Sequence, residues 1–149
     1  MRIKNLLAIA IIVLFSSNMS GQDEAQTRLC PCDDGIQKPM YQECAYMEDC
    51  VEAQACAMRK MLISIYRVMK YPVEARRNSI QGTIVLEFEV GVDGIARNFR
   101  VQSDALGYGI PEAAIEGARV LNDRRFYPAE EDCIPVEYTY VLPVTFKLQ

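Results

Sequence analysis

Histidine and tryptophan are both missing from this 149-residue chain. Without His the usual general base at neutral pH is gone, and with it any Ser-His or Cys-His nucleophile pair. The commonest hydrolase constellations are thereby excluded. No Cys-x-x-Cys pair occurs, so zinc knuckles and a thioredoxin-type motif are absent; the nearest approach is Cys30-Pro31-Cys32. Zinc held by four thiolates and a redox role stay open as alternatives, but no metal or cofactor is expected. Internal repeats, a Pro-rich spacer and an apolar run of the ~20 residues that span a bilayer are also lacking.

Positive charge is in short supply as well. Sixteen Lys and Arg stand against 20 Asp and Glu, a formal net charge of −4. Setting aside the first 21 residues, which carry Arg2 and Lys4 and no acid, leaves −6. An acidic chain argues against nucleic acid and against an anionic membrane surface as partners. The beginning has the physics of a secretory signal: Arg2 and Lys4, then the apolar stretch Leu6 to Phe15, then Ser16, Ser17, Ser20 and Gly21. Cleavage is expected near Gly21 and Gln22, giving a signal over 1–21. An uncleaved short anchor holding the chain at the inner membrane is the competing reading.

Six cysteines follow: Cys30, Cys32, Cys44, Cys50, Cys56 and Cys133. An even number behind a secretory signal favours disulfides. If Cys50 and Cys56 share a helix, six residues separate them by ~9 Å along the axis and ~240° around it, too far to bridge. Each must then look elsewhere, and a bridge from one of them to Cys133 is the expectation.

Half of the residues are apolar, enough for one real core. Gln22 to Pro39 shows no periodicity and reads as a loose, acidic lead-in. Met40 to Lys70 contains no Pro or Gly and is rich in helix formers. In its second half Met58, Met61, Leu62, Ile65, Tyr66 and Met69 recur at helical spacing opposite Arg59, Lys60, Ser64, Arg67 and Lys70, which predicts an amphipathic helix ended by Pro72. From Ile84 to Val90 apolar and polar residues alternate, the mark of a half-buried strand. Gly91-Val92-Asp93-Gly94 suits a tight reversal, so Ile95 to Ser103 should return antiparallel. Pro111 opens a second helix, Glu112 to Asn122, led by small residues. In the last strand Tyr138, Tyr140, Leu142, Val144, Phe146 and Leu148 share a face. Pro143 falls on the other alternation and donates no hydrogen bond, which puts this strand at a sheet edge.

The predicted fold is α+β: a two-layer sandwich of a three-stranded antiparallel sheet packed by two helices, behind a Cys-containing helical extension. Glu87 and Glu89 form a paired-carboxylate pattern, yet an outward strand face makes them solvated side chains rather than catalysts. Arg76-Arg77 and Arg124-Arg125 read as surface charge, with a grip on an acidic peptide as the alternative. No enzyme activity is expected.

Tyr71-Pro72-x-x-Ala75-Arg76, Gly82-Thr83-Ile84-Val85, Val92-Asp93-Gly94, Ala113-Ala114, Phe126-x-Pro128-Ala129, Pro135-Val136 and Pro143-Val144-Thr145-Phe146-Lys147-Leu148, in this order, resemble the C-terminal domain of the TonB energy-transducer family. The likeness runs from about Leu62 to the end, and it divides the chain into a signal (1–21), a Cys-rich acidic segment (22–57) and a TonB-like domain (58–149). Where the family carries tryptophan before Phe-x-Pro-Ala, this chain has Arg124. The resemblance implies a periplasmic protein-binding module in transmembrane transport, which captures the TonB-box segment of an outer-membrane transporter by adding it as a strand. Carried over, the receptor-facing edge would be Tyr138, Thr139, Tyr140, Val141, Leu142, Val144, Thr145, Phe146 and Lys147, with Lys70, Tyr71 and Pro72 as a second contact. With no spacer or spanning anchor read in the chain, the expectation is a domain that docks without pulling by itself. A free strand edge also leaves open pairing of two copies. The rival function is a disulfide-stabilised secreted interaction module with an unrelated partner.

Overall fold

The computed structural model describes residues 35–102, 106–123 and 125–148. The signal segment, Cys30, Cys32 and Arg124 lie outside them. In chain order the elements are strands β1 (Ile36–Gln37) and β2 (Met40–Tyr41), a 3-10 turn (Gln42–Cys44), helices α1 (Cys50–Val68) and α2 (Val73–Arg77), and strands β3 (Gly82–Val90) and β4 (Ala96–Val101). Then come helix α3 (Ile110–Ala118), running into a 3-10 turn (Arg119–Asp123), and strands β5 (Phe126–Tyr127), β6 (Ala129–Glu131), β7 (Ile134–Val136) and β8 (Tyr138–Phe146).

The alternation in β3 does what its period demands. Ile84, Leu86, Phe88 and Val90 are all buried, facing Tyr140, Leu142, Val144 and Phe146 of β8 across an unbroken antiparallel register from Gly82↔Phe146 to Val90↔Tyr138. β4 joins the other side of β3, so the order is β4-β3-β8 and β8 is an edge. Asn98, in left-handed backbone at φ 55°, marks the bulge where the β3–β4 register shifts between Glu87 and Glu89. Phe99 then stacks on Phe88 at 5.4 Å, and Tyr140 stacks on its other side at 5.4 Å. Each such ring removed from water contributes roughly 1.5–3 kcal/mol. Helices α1 and α3 cover this face, with α3 presenting Ala114, Gly117 and Ala118 so that it can lie close. The expected α+β sandwich is the observed one.

α1 starts later than composition alone suggests. Asp49 caps it by accepting the Glu52 N–H at 2.9 Å. Ahead of it, Met40–Tyr41 pairs with Phe126–Tyr127 and Tyr41 packs on Phe126 at 4.8 Å, a distant pairing that outweighs local helix propensity. The buried seam of α1 is Ala53, Ala57, Met61 and Ile65. A strict spacing of four turns the seam ~40° per step. Met58 and Tyr66, each one position past it, are therefore exposed at 40% and 41%, not core.

The Cys133 bridge is a correction. Cys133 is exposed and free at the tip of the β6–β7 hairpin, where it and Asp132 adopt left-handed backbone. Cys56 instead bonds Cys44, whose Cα lies 5.9 Å away on the 3-10 turn that folds back over α1. Cys50 is also disulfide-bonded, so the two helical cysteines do look to separate partners. The segment around Cys133 is a small sheet of its own, ordered β1-β6-β7, and the last strand opens at Tyr138.

Candidate functional site

Chemistry on the outer sheet face is fully engaged. Glu87 accepts from Arg100 and, at 3.0 Å, from the Gln102 side chain. The Arg100 bond, then that of Gln102, holds the Glu87 carboxyl below its usual range. Glu89 accepts from Asn98. Both carboxylates belong to a cross-strand polar ladder, and the lowered pKa of Glu87 is the opposite of a raised general acid.

The edge strand is the remaining feature of note. Tyr140, Leu142, Val144 and Phe146 are buried, so their side chains build core. Tyr138 is half-buried, edge-to-face with Tyr140, and Tyr140 donates to the Pro39 carbonyl at 3.0 Å. Thr139, Val141, Thr145 and Lys147 are exposed. The Thr145 N–H donates to the Tyr66 hydroxyl of α1 at 2.8 Å. Tyr66 was legible only as part of an apolar stripe. The hint lay in its place one residue off the Ala57–Met61–Ile65 seam.

The Lys70-Tyr71-Pro72 turn meets the same end of β8. Tyr71 packs edge-to-face on Phe146 at 5.6 Å, donates to the Ile80 carbonyl and carries the Arg76 guanidinium 5.9 Å from its ring centre. Tyr71, Arg76, Lys147 and Leu148 line a cleft of about 470 Å³. On the other side of the turn a groove of about 610 Å³ runs between Met69, Tyr71, Pro72, Ala113 and Gly117. The two expected contact regions thus adjoin. Arg77 pairs with Glu74 at 3.1 Å, as surface charge does. Among the described residues no cluster of three or more His, Cys, Asp or Glu is placed to hold a metal.

The family model for the Gram-negative bacterial TonB protein C-terminal matches residues 67–148, more than half of the chain. The chain belongs to the TonB C-terminal domain family. A solution structure of the Helicobacter pylori TonB C-terminal domain (residues 179–285) is similar with a TM-score of 0.50 at 17% identity, covering 62% of this chain and 80% of that one. A second one, of residues 194–285, gives a TM-score of 0.39 at 20% identity and covers 62% and 94%. No curated protein matches the chain. The matched TonB segment takes in α2, the whole β4-β3-β8 sheet and α3, and it begins at Arg67, near the end of α1. β1, β2 and the Cys44–Cys56 bridge precede the TonB match.

Proposed function

We propose that this domain docks on the TonB-box segment of an outer-membrane transporter by strand addition to β8, on the periplasmic side, and so takes part in transmembrane transport. The observation that carries the reading is the sheet order: among the described residues β8 is paired along one side only, against β3, and its other side is open at Thr139 and Val141. Backbone groups of an added strand would supply most of the affinity, which suits an edge whose alternate side chains are committed to the core. The Lys70-Tyr71-Pro72 turn, joined to the strand end through Tyr71 and Phe146, is the second contact. The signal over 1–21, the Cys-rich segment 22–57 and the domain 58–149 form the organisation that goes with this reading. Among the described residues no helix is long and apolar enough to cross a membrane.

Titration of the purified chain with a TonB-box peptide, followed by backbone amide shifts, is the test. Saturable shifts centred on β8 and the Lys70–Pro72 turn are expected. Their absence at millimolar peptide would overturn the docking reading and leave the fold as a module for an unrelated partner.

A further inference from the structure

Alternate residues of an antiparallel edge strand turn their backbone groups outward. Thr145 is one of these, because its N–H leaves the sheet for the Tyr66 hydroxyl. The β3–β8 register is unbroken, so Pro143, Val141 and Thr139 point the same way. An independent bond agrees: the carbonyl of Val85, the partner of Pro143, accepts from Gln102 N–H at 3.0 Å on the β4 side. Pro143 has no N–H to offer. Only Thr139 and Val141 therefore present both a donor and an acceptor outward within β8.

We propose that Tyr66 sets the register of strand addition, its hydroxyl capping Thr145 and confining the incoming strand to Tyr138–Leu142. This rests on the docking reading given above, and the occupant is the same extended transporter segment. Basic side chains dominate this stretch of α1: no acid occurs between Glu52 and Glu74, and Arg59, Arg67 and Lys70 make no ion pair with any described residue. An incoming strand with acidic rather than basic flanks is favoured. Tyr66 comes from outside the strand it caps, so it acts by position, accepting the Thr145 N–H.

The experiment is amide hydrogen exchange, residue by residue, on the purified chain and its Tyr66→Phe variant, each with and without a TonB-box peptide. The ring is kept and the position is half-exposed, so the variant folds. In the free chain Thr145 should exchange more slowly than Thr139 and Val141, and Tyr66→Phe should speed Thr145 alone, by about tenfold for one lost hydrogen bond. Peptide should then slow Thr139 and Val141 in both proteins, and Thr145 only in the variant. Equal Thr145 exchange in the two free proteins would overturn the cap. Peptide protection of Thr145 in the unaltered chain, matching that of Val141, would overturn the register role. Peptide that slows no β8 amide in either protein defeats the docking reading, while the Thr145 comparison still decides the cap. Slow Val141 exchange without peptide, with a doubled mass in solution, would mean that a second copy fills the edge and would overturn the open half.

Discussion

Gly94 and Phe126 are locked backbone to backbone. The Phe126 N–H donates to the Gly94 carbonyl at 3.0 Å, and the Phe126 carbonyl oxygen occupies the space where a Cβ on Gly94 would sit. Gly94 also holds φ at 70°, which costs an L-residue roughly 1–2 kcal/mol. Gly94→Ala is therefore expected to destabilise by more than about 3 kcal/mol, since strain and overlap with rigid backbone add. Gly107→Ala is the matched comparison: its φ is 57° but nothing lies within 4 Å of its added Cβ. Urea unfolding of the two variants checks this, and equal losses would refute the part assigned to Phe126.

The Cys44–Cys56 bridge closes a loop with a sequence separation of 12 over the start of α1. Loop-closure entropy assigns such a bridge about 3 kcal/mol. The double variant Cys44→Ala/Cys56→Ala should lose about that much, whereas Cys133→Ser, at an exposed free thiol, should leave the melting temperature unchanged. Thermal melts compare the two directly. A large loss from Cys133→Ser would restore a structural role for that thiol.

Much of the sheet was legible because its signals are local. The alternation of Ile84, Leu86, Phe88 and Val90 reports a half-buried strand, and Pro143 on the outward alternation reports an edge. What stayed hidden depends on contacts between segments far apart in the chain. Met40–Tyr41 becomes a strand only because Phe126–Tyr127 arrives to pair with it. Cys56 finds Cys44 through that same fold-back, which no spacing rule contains. The edge of the candidate site could be named in advance. Its division into an open and a capped half could not, since the cap is a helix residue read as core.

Glu87 should carry part of the pH dependence of stability. Its folded-state pKa lies below the ordinary glutamate value of about 4.3, chiefly through the Arg100 bond and then that of Gln102. A lowered folded pKa means that the stabilisation is present above the unfolded value and is lost as pH falls through the folded one. Glu87→Gln should thus be less stable than the unaltered chain at pH 7 and should lose less stability between pH 5 and pH 2. Melting curves across that range decide it; parallel curves would show that the ladder is not sensed by folding.

Val141→Pro separates docking from folding. The outward N–H of Val141 bonds nothing in β3, so its loss costs the ladder nothing, as Pro143 already shows two residues on. Stability should fall by no more than about 1 kcal/mol. Leu142→Ala, at a fully buried neighbour, should instead cost about 2–5 kcal/mol. Val141 and Thr139 are the outward donors open to an added strand, so Val141→Pro should weaken TonB-box peptide binding at least about tenfold, the loss of one hydrogen bond with its acceptor left unpaired. Calorimetric titration beside urea melts gives both numbers on one sample. Undiminished binding by a folded Val141→Pro chain would move the docking strand off β8 altogether.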